Sequence, residues 1–269
     1  MKKALTYLTV ANLFFLALLL ASGFFPSPVD KILYYLAFIL PCAFVFIICA
    51  NVGEQKTMPL SLKLDKGGAL LTLPTVAPTL ALIFLVSFLT SLVFSSIGSS
   101  PIPDVSGNIL LVIVVHALLP ALLEELFFRY MPLSVLTPYS KRAAVLYSAL
   151  FFSLLHCSAY QMPYAFIAGI IFATLDLAVG SIWPSVILHF LNNLVSIFWI
   201  RNSAIEGFGT FFVIILASLA LLSLIPVFIY RKKYSKMLTD VFNDKCKEKL
   251  SLSPIAFALC CILIAVMSL

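Results

Sequence analysis

Three ionisable residues, Glu124, Glu125 and Arg129, interrupt a stretch that is otherwise apolar enough to lie inside a lipid bilayer. A charge near the bilayer centre costs about 2.5–3.5 kcal/mol on insertion scales, so such residues usually mark a functional site. Glu125 and Arg129 share a helix face, with the acid before the base, and are expected to pair. Glu124 points about 100° away, without a counter-ion on its own helix, which suits a general acid or base. The alternative is an ion-pair cluster that only fixes helix packing.

Two further pairs of side chains occur later in the chain at the same i, i+4 spacing. Phe152 precedes His156, and His189 precedes Asn193, so each pair shares a helix face. A single membrane histidine is more often an interhelical hydrogen-bonding residue, but two of them together with a Glu and an Asn favour catalysis. At a rise of about 1.5 Å per residue, Glu124 and these polar groups lie roughly 12–21 Å from the inner surface. The sequence therefore predicts one polar layer in the middle of the membrane.

The composition of the whole chain indicates that membrane-spanning helices position these residues. The chain has 269 residues, of which 62% are hydrophobic and 10% charged, and its mean hydropathy is +1.13. Apolar stretches near the ~20 residues that cross a bilayer occur at 4–25, 32–50, 74–97, 110–136, 143–158, 163–180, 182–200, 209–230 and 252–268. We predict an all-α, polytopic membrane helical bundle of about eight or nine transmembrane helices, with the catalytic core in spans four to seven. The longest polar segments, 51–67 and 231–250, are too short for a soluble domain.

The distribution of basic residues predicts the orientation, because Lys and Arg favour the cytoplasmic side. With the N-terminus inside and nine spans, only Lys31 and Arg201 of the 17 basic residues lie outside, while Arg129 is embedded. Asp176, near the inner end of the sixth span, is expected to reach the lipid headgroups. The first span also has features of a cleaved signal peptide, but its apolar run exceeds the ~7–15 residues of a typical signal core. A retained first helix is therefore favoured.

In order and spacing, the three motifs resemble those of the CAAX protease and bacteriocin-processing family, also called CPBP or Abi. This family includes the type II CAAX prenyl endopeptidases. The motifs that carry the resemblance are Glu124-Glu125-x-x-x-Arg129, Phe152-x-x-x-His156 and His189-x-x-x-Asn193. The resemblance covers about residues 110–200, and the spans on either side are not matched to the family.

The resemblance implies a role for each motif residue. Glu124 and His156 would together activate a water molecule for attack on a peptide carbonyl. His189 and Asn193 would stabilise the oxyanion that forms. The residues that would hold the site together are Glu125, Arg129 and Phe152. No covalent acyl-enzyme is implied, because the motifs contain no Ser or Cys paired with a base.

A zinc site is the alternative interpretation of the same residues, since carboxylates and imidazoles are zinc ligands. The ligands would then be Glu124, His156 and His189. The His-Glu-x-x-His pattern that is usual for zinc hydrolases on helices does not occur in the chain, so a mechanism without a metal or other cofactor is favoured.

Three regions follow from the position of the motifs. Residues 1–109 are predicted to form N-terminal transmembrane helices with a polar inner loop, and residues 110–200 the catalytic core. Residues 201–269 are predicted to add C-terminal transmembrane helices with a basic cytoplasmic loop.

The leading hypothesis is an intramembrane endopeptidase in a bacterial plasma membrane, with membrane lipid and a membrane-associated protein or peptide as its partners. A bacterial origin would make prenylated proteins poor candidates for the substrate. A non-catalytic binding or immunity protein is an alternative. A proton-coupled transporter is disfavoured, because the polar residues cluster in one region without a repeat. The chain has no phosphate-binding loop or other feature that would support nucleotide or nucleic-acid binding.

Overall fold

The computed structural model describes residues 2–52, 60–94, 104–156 and 158–244, and the regular elements in these ranges are helices. In chain order they are α1 (Lys2–Ser22), α2 (Val29–Val52), α3 (Lys66–Phe94), α4 (Ile109–Leu136), α5 (Lys141–Leu154), α6 (Met162–Val179), α7 (Trp183–Asn202), α8 (Phe208–Ile229) and α9 (Arg231–Phe242). Seven of them, all except α5 and α9, are long and apolar enough to cross a membrane. The predicted all-α polytopic bundle is thereby confirmed.

Two of the nine predicted spans have no long helix in the described ranges. The span predicted at 143–158 corresponds to α5, which has only 14 residues and ends at Leu154. At ~1.5 Å per residue this helix is about 21 Å long, shorter than the ~30 Å hydrocarbon core. The span predicted at 252–268 lies outside the described residues.

Helix α4 is widened at two places, and both precede a proline. The π-helical turns Val114–Leu118 and Leu126–Tyr130 end just before the Leu-Pro120 and Met-Pro132 pairs. The amide before each proline bonds the carbonyl five residues back rather than four. A proline lacks an N–H and its ring clashes with the carbonyl four residues earlier, so a wider turn accommodates it. The two adjacent glutamates lie on the α-helical segment between these turns.

Helix α1 packs into the core beside α2 and α4. The ring of Phe15 stacks on Phe127 of α4 at a centroid distance of 4.9 Å and meets Phe38 of α2 edge-on at 4.7 Å. The Asn12 amide donates a hydrogen bond of 2.9 Å to the Tyr147 hydroxyl of α5. These contacts hold α1 against the helix that carries the glutamates.

Helices α5 and α6 approach each other closely at Gly169. A Cβ atom at this position would lie 2.8 Å from the Cα of Ala149, so a side chain here would push the helices apart. Between them, residues 155–156 and 159–161 form turns, and the Ser153 hydroxyl donates to the Met162 carbonyl at 2.7 Å. Non-helical backbone at membrane depth is tolerated where protein covers it or where it lines a cavity.

The segments that are predicted to be cytoplasmic meet at one end of the bundle. Ser61 forms a parallel bridge with Ser181 in the α6–α7 turn, and Asp244 accepts a hydrogen bond of 2.6 Å from the Lys141 amide at the start of α5. Arg201, which is predicted to lie outside, is at the other end of α7 from that turn, and its guanidinium donates a hydrogen bond of 3.1 Å to the Val105 carbonyl. The basic inner segments therefore share one face of the molecule.

Candidate active site

A fully buried ion pair joins Glu125 and Arg129 within α4. The distance between Arg129 Nε and Glu125 Oε2 is 3.2 Å, and both side chains are 0% exposed. The guanidinium also lies over the Phe152 ring, 4.1 Å from its centroid, and 5.6 Å from that of Phe172. Arginine is suited to such a position because its planar cation stacks on aromatic rings. The pairing that was predicted from the spacing is confirmed.

His189 lies between the two glutamates. Its Nδ1 is 2.7 Å from Glu125 Oε1, and its Nε2 is 3.8 Å from Glu124 Oε2. A carboxylate accepts but does not donate, so Nδ1 carries the hydrogen in the shorter contact. Glu125 thereby orients the imidazole and turns Nε2 towards Glu124.

His156 is held in a different way, by the backbone. It follows the end of α5, and its Nδ1 is 2.7 Å from the Phe152 carbonyl oxygen. A carbonyl can only accept, so Nδ1 is again the donor, and Nε2 of the neutral ring keeps its lone pair. The rings of Phe152 and His156 meet edge-on at 4.8 Å, so the predicted packing of this pair is confirmed.

The Phe152 ring brings the parts of the site together. The rings of His156 and His189 are 4.8 Å and 5.7 Å from its centroid, and Arg129 covers its face. Phe152 itself is 4% exposed. One aromatic side chain thus fixes both histidines and the arginine in a small apolar volume, where charges interact more strongly than in water.

The two glutamates differ in the solvent exposure of their side chains. The Glu124 side chain is 16% exposed, whereas that of Glu125 is fully buried. Tyr34 of α2 and Tyr164 of α6 also interact electrostatically with Glu124. Glu124 is therefore the carboxylate that a water molecule can reach, and the two tyrosines within electrostatic range of it are residues that the sequence did not point to.

A comparison with protein-family models gives one match in this region. Residues 105–195 match the family described as Rce1-like, type II CAAX prenyl endopeptidase. The resemblance to the CAAX protease family is confirmed. The matched segment contains all seven motif residues, which are Glu124, Glu125, Arg129, Phe152, His156, His189 and Asn193. The match supports a membrane-embedded peptidase of the CAAX type, in a multi-pass membrane protein with a protein or peptide substrate. Neither the curated proteins nor the solved structures give a match to the chain.

Asn193 is the last motif residue of the Rce1-like segment. It lies one helical turn after His189 on α7, and its Oδ1 accepts a hydrogen bond of 3.5 Å from the side-chain Nδ2 of Asn192. Its partnership with His189 therefore rests on the shared helix face, and its contribution to an oxyanion site stays a prediction.

Asp176 occupies a different place from the one expected. It is 0% exposed and does not reach the headgroups. Its Oδ1 accepts a hydrogen bond of 2.9 Å from the Ser185 amide in the first turn of α7. The α6–α7 turn at Gly180, with φ of 71°, folds the start of α7 back onto the end of α6. This burial has a sequence pattern that could have indicated it. An acidic residue one helical turn before a Gly-Ser turn can accept hydrogen bonds from the free amides at the start of the next helix.

We expect the Asp176→Ala variant to unfold more easily, by about 0.5–2 kcal/mol, because the first turn of α7 loses its acceptor. Ser185 lies four residues before His189, so the same change should displace the imidazole and lower any cleavage activity. Asp176→Asn keeps an acceptor oxygen and should restore most of both. Thermal unfolding and cleavage rates of the two variants in the same lipid would check this. Equal losses in both variants would show that the charge, rather than the cap, matters.

The residues that a zinc site would use are Glu124, His156 and His189. Within the described ranges, no three His, Cys, Asp or Glu side chains are grouped so that they could hold a metal ion. The Nδ1 atoms of His156 and His189 are already engaged by a carbonyl and a carboxylate. An imidazole that donates its Nδ1 hydrogen in this way keeps its Nε2 for a proton or a metal ion, so the zinc interpretation is left to a metal-removal experiment.

Proposed function

We propose that the chain is an intramembrane endopeptidase that hydrolyses a peptide bond of a membrane-associated protein or peptide with an activated water molecule. The observation that carries the proposal is the different environment of the two histidines. His156 is bonded to a carbonyl and His189 to a carboxylate, next to one partly exposed glutamate. These environments suit opposite roles, with His156 as a proton acceptor and His189 as a hydrogen-bond donor.

In the proposed mechanism, Glu124 and His156 take a proton from the attacking water. The Nε2 lone pair of neutral His156 and the Glu124 carboxylate are both able to accept it. The water oxygen forms the new bond to the carbonyl carbon, and the carbonyl oxygen becomes an oxyanion. When the C–N bond breaks, the same proton passes to the leaving amine, so no net proton remains on the enzyme.

His189 and Asn193 would stabilise the oxyanion. The Glu125 carboxylate beside Nδ1 favours an imidazolium, whose Nε2–H then points into the site as a second donor. Two anions, Glu124 and Glu125, would face two cations, Arg129 and the His189 imidazolium, so the charges of these four groups balance. Donors fixed in a site that excludes water stabilise a developing charge more strongly than they would in water.

The proposal is tested by incubating the purified protein in lipid vesicles with a library of membrane-tethered peptides and identifying new termini by mass spectrometry. We expect cleavage close to the membrane at a defined set of sequences. A Glu206→Gln variant, altered in an exposed residue of the α7–α8 loop, is the matched control and should cleave equally. A complete lack of cleavage across the library would favour the alternative of a binding or immunity protein.

Removal of metal ions should leave cleavage unchanged, because the proposed water activation uses only side chains. The protein would be dialysed against a strong chelator and assayed in metal-free lipid, and its zinc content would be measured in parallel. Loss of activity that added zinc restores, with about one zinc per chain, would contradict the mechanism and favour the metallopeptidase.

A further inference from the structure

Helix α9 is amphipathic and packs across the inner ends of α5 and α6. Tyr234, Met237 and Val241 follow each other at helical spacing, and Val241 is 2% exposed. The Tyr234 hydroxyl donates a hydrogen bond of 2.7 Å to the Leu71 carbonyl of α3. This apolar face fixes the helix on the bundle, so its basic side chains have defined positions.

A cleft of about 350 Å³ lies where α9 meets the start of α5. Its lining includes the charged residues Lys141, Lys233, Lys236 and Asp240 together with apolar residues such as Met237. Within the part of the chain that the structure describes, none of the three lysines forms an ion pair. Three lysines, against Asp240 in the lining and the Asp244 carboxylate bonded to the Lys141 amide, leave the cleft with a net positive charge for an anion.

An apolar groove of about 270 Å³ begins on the other side of Met237, between α3, α6 and α8. The hydroxyls of two of its threonines, Thr75 and Thr174, donate to carbonyls of their own helices at 2.7 Å and 2.6 Å. These threonines therefore use their hydroxyls internally. The groove suits a hydrocarbon chain, and its lining includes Leu82 and Leu175.

We propose that the cleft and the groove together bind one anionic phospholipid. Its phosphate group would lie among Lys141, Lys233 and Lys236, and one acyl chain would pass Met237 into the groove. Both parts are needed, because only a ligand with an anionic head and an apolar tail matches two adjacent volumes of opposite character. The predicted orientation, with the basic segments inside, assigns this lipid to the cytoplasmic leaflet.

The test compares lipid retention after release of the intact protein from nanodiscs, with native mass spectrometry counting the bound lipids. We expect one retained phosphatidylglycerol per chain and much less phosphatidylcholine. The Lys141→Gln, Lys233→Gln, Lys236→Gln triple variant should reduce that retention by more than about fivefold, since each lysine near an anionic headgroup contributes on the order of fivefold in affinity. Leu82→Trp, which fills the groove, should reduce it as well.

The matched control removes three basic side chains that do not line the cleft, with Lys63→Gln, Arg231→Gln and Lys232→Gln combined. It should retain the lipid as the wild type does. An equal loss in the control would overturn the proposal, because diffuse attraction to the basic face would then explain the binding. Equal retention of phosphatidylcholine would overturn it too, and so would full competition by glycerol phosphate, which has the headgroup chemistry without the chain.

Discussion

Replacement of Glu124 by Gln should lower the rate of peptide cleavage by about 10²–10⁴-fold, the range typical for loss of a general base. The amide cannot take the proton of the attacking water, but it has the same size and can still accept a hydrogen bond. The loss should therefore appear in kcat, with KM nearly unchanged, because the substrate binds before the proton moves. Single-turnover cleavage of one identified peptide in vesicles would measure it.

The companion variant His156→Ala should give a loss of similar size. The two losses should not add in the double variant, since both groups would act on the same water molecule. Circular dichroism and thermal unfolding of Glu124→Gln should match the wild type, because Glu124 is partly exposed and is not part of the Glu125–Arg129 pair. Cleavage by Glu124→Gln at the wild-type rate would assign the water activation to other residues.

The second large effect concerns stability. Arg129→Met should lower the free energy of unfolding by about 3–5 kcal/mol, because it leaves the Glu125 carboxylate fully buried without its cation. Methionine fills much of the same volume, so the loss reports the missing charge rather than a cavity. Reversible unfolding in mixed micelles, followed by circular dichroism, would measure it.

The double variant Glu125→Gln, Arg129→Met is the control for that stability prediction. With both charges removed, the Glu125 carboxylate no longer lies buried without its cation, and the loss should be clearly smaller than for Arg129→Met alone. Activity should stay low, because His189 loses the carboxylate that orients it. A loss of less than about 1 kcal/mol in Arg129→Met, the value of an exposed pair, would contradict the buried geometry.

Features that depend on one helix were predictable from the sequence. The Glu125–Arg129 pair follows from the i, i+4 spacing, which brings two side chains to the same face of α4. The packing of Phe152 on His156 was predicted from the same spacing, but His156 lies in the turn after α5 and not on the helix itself. Hydropathy likewise predicted the long membrane helices, since a bilayer sets their minimum length.

Contacts between helices were harder to foresee. The sequence indicated that Glu124 has no counter-ion on its own helix, but not that His189 of α7 lies between it and Glu125. Which faces of α4 and α7 meet depends on how the helices cross and on the two π-helical turns, which shift the register of α4. The burial of Asp176 depends on the same tertiary packing, because the α6–α7 turn places its carboxylate against the start of α7.

The central claim is that water, activated at Glu124, attacks the peptide bond directly. The most direct test is cleavage of one peptide by wild type and Glu124→Gln in vesicles, in the presence of hydroxylamine, with product analysis by mass spectrometry. We predict that the wild type yields only the free carboxylate and that the variant yields almost no product. Hydroxamate from the wild type would reveal a covalent acyl-enzyme, and equal cleavage by the variant would remove Glu124 from the reaction. Either result would contradict the proposed mechanism.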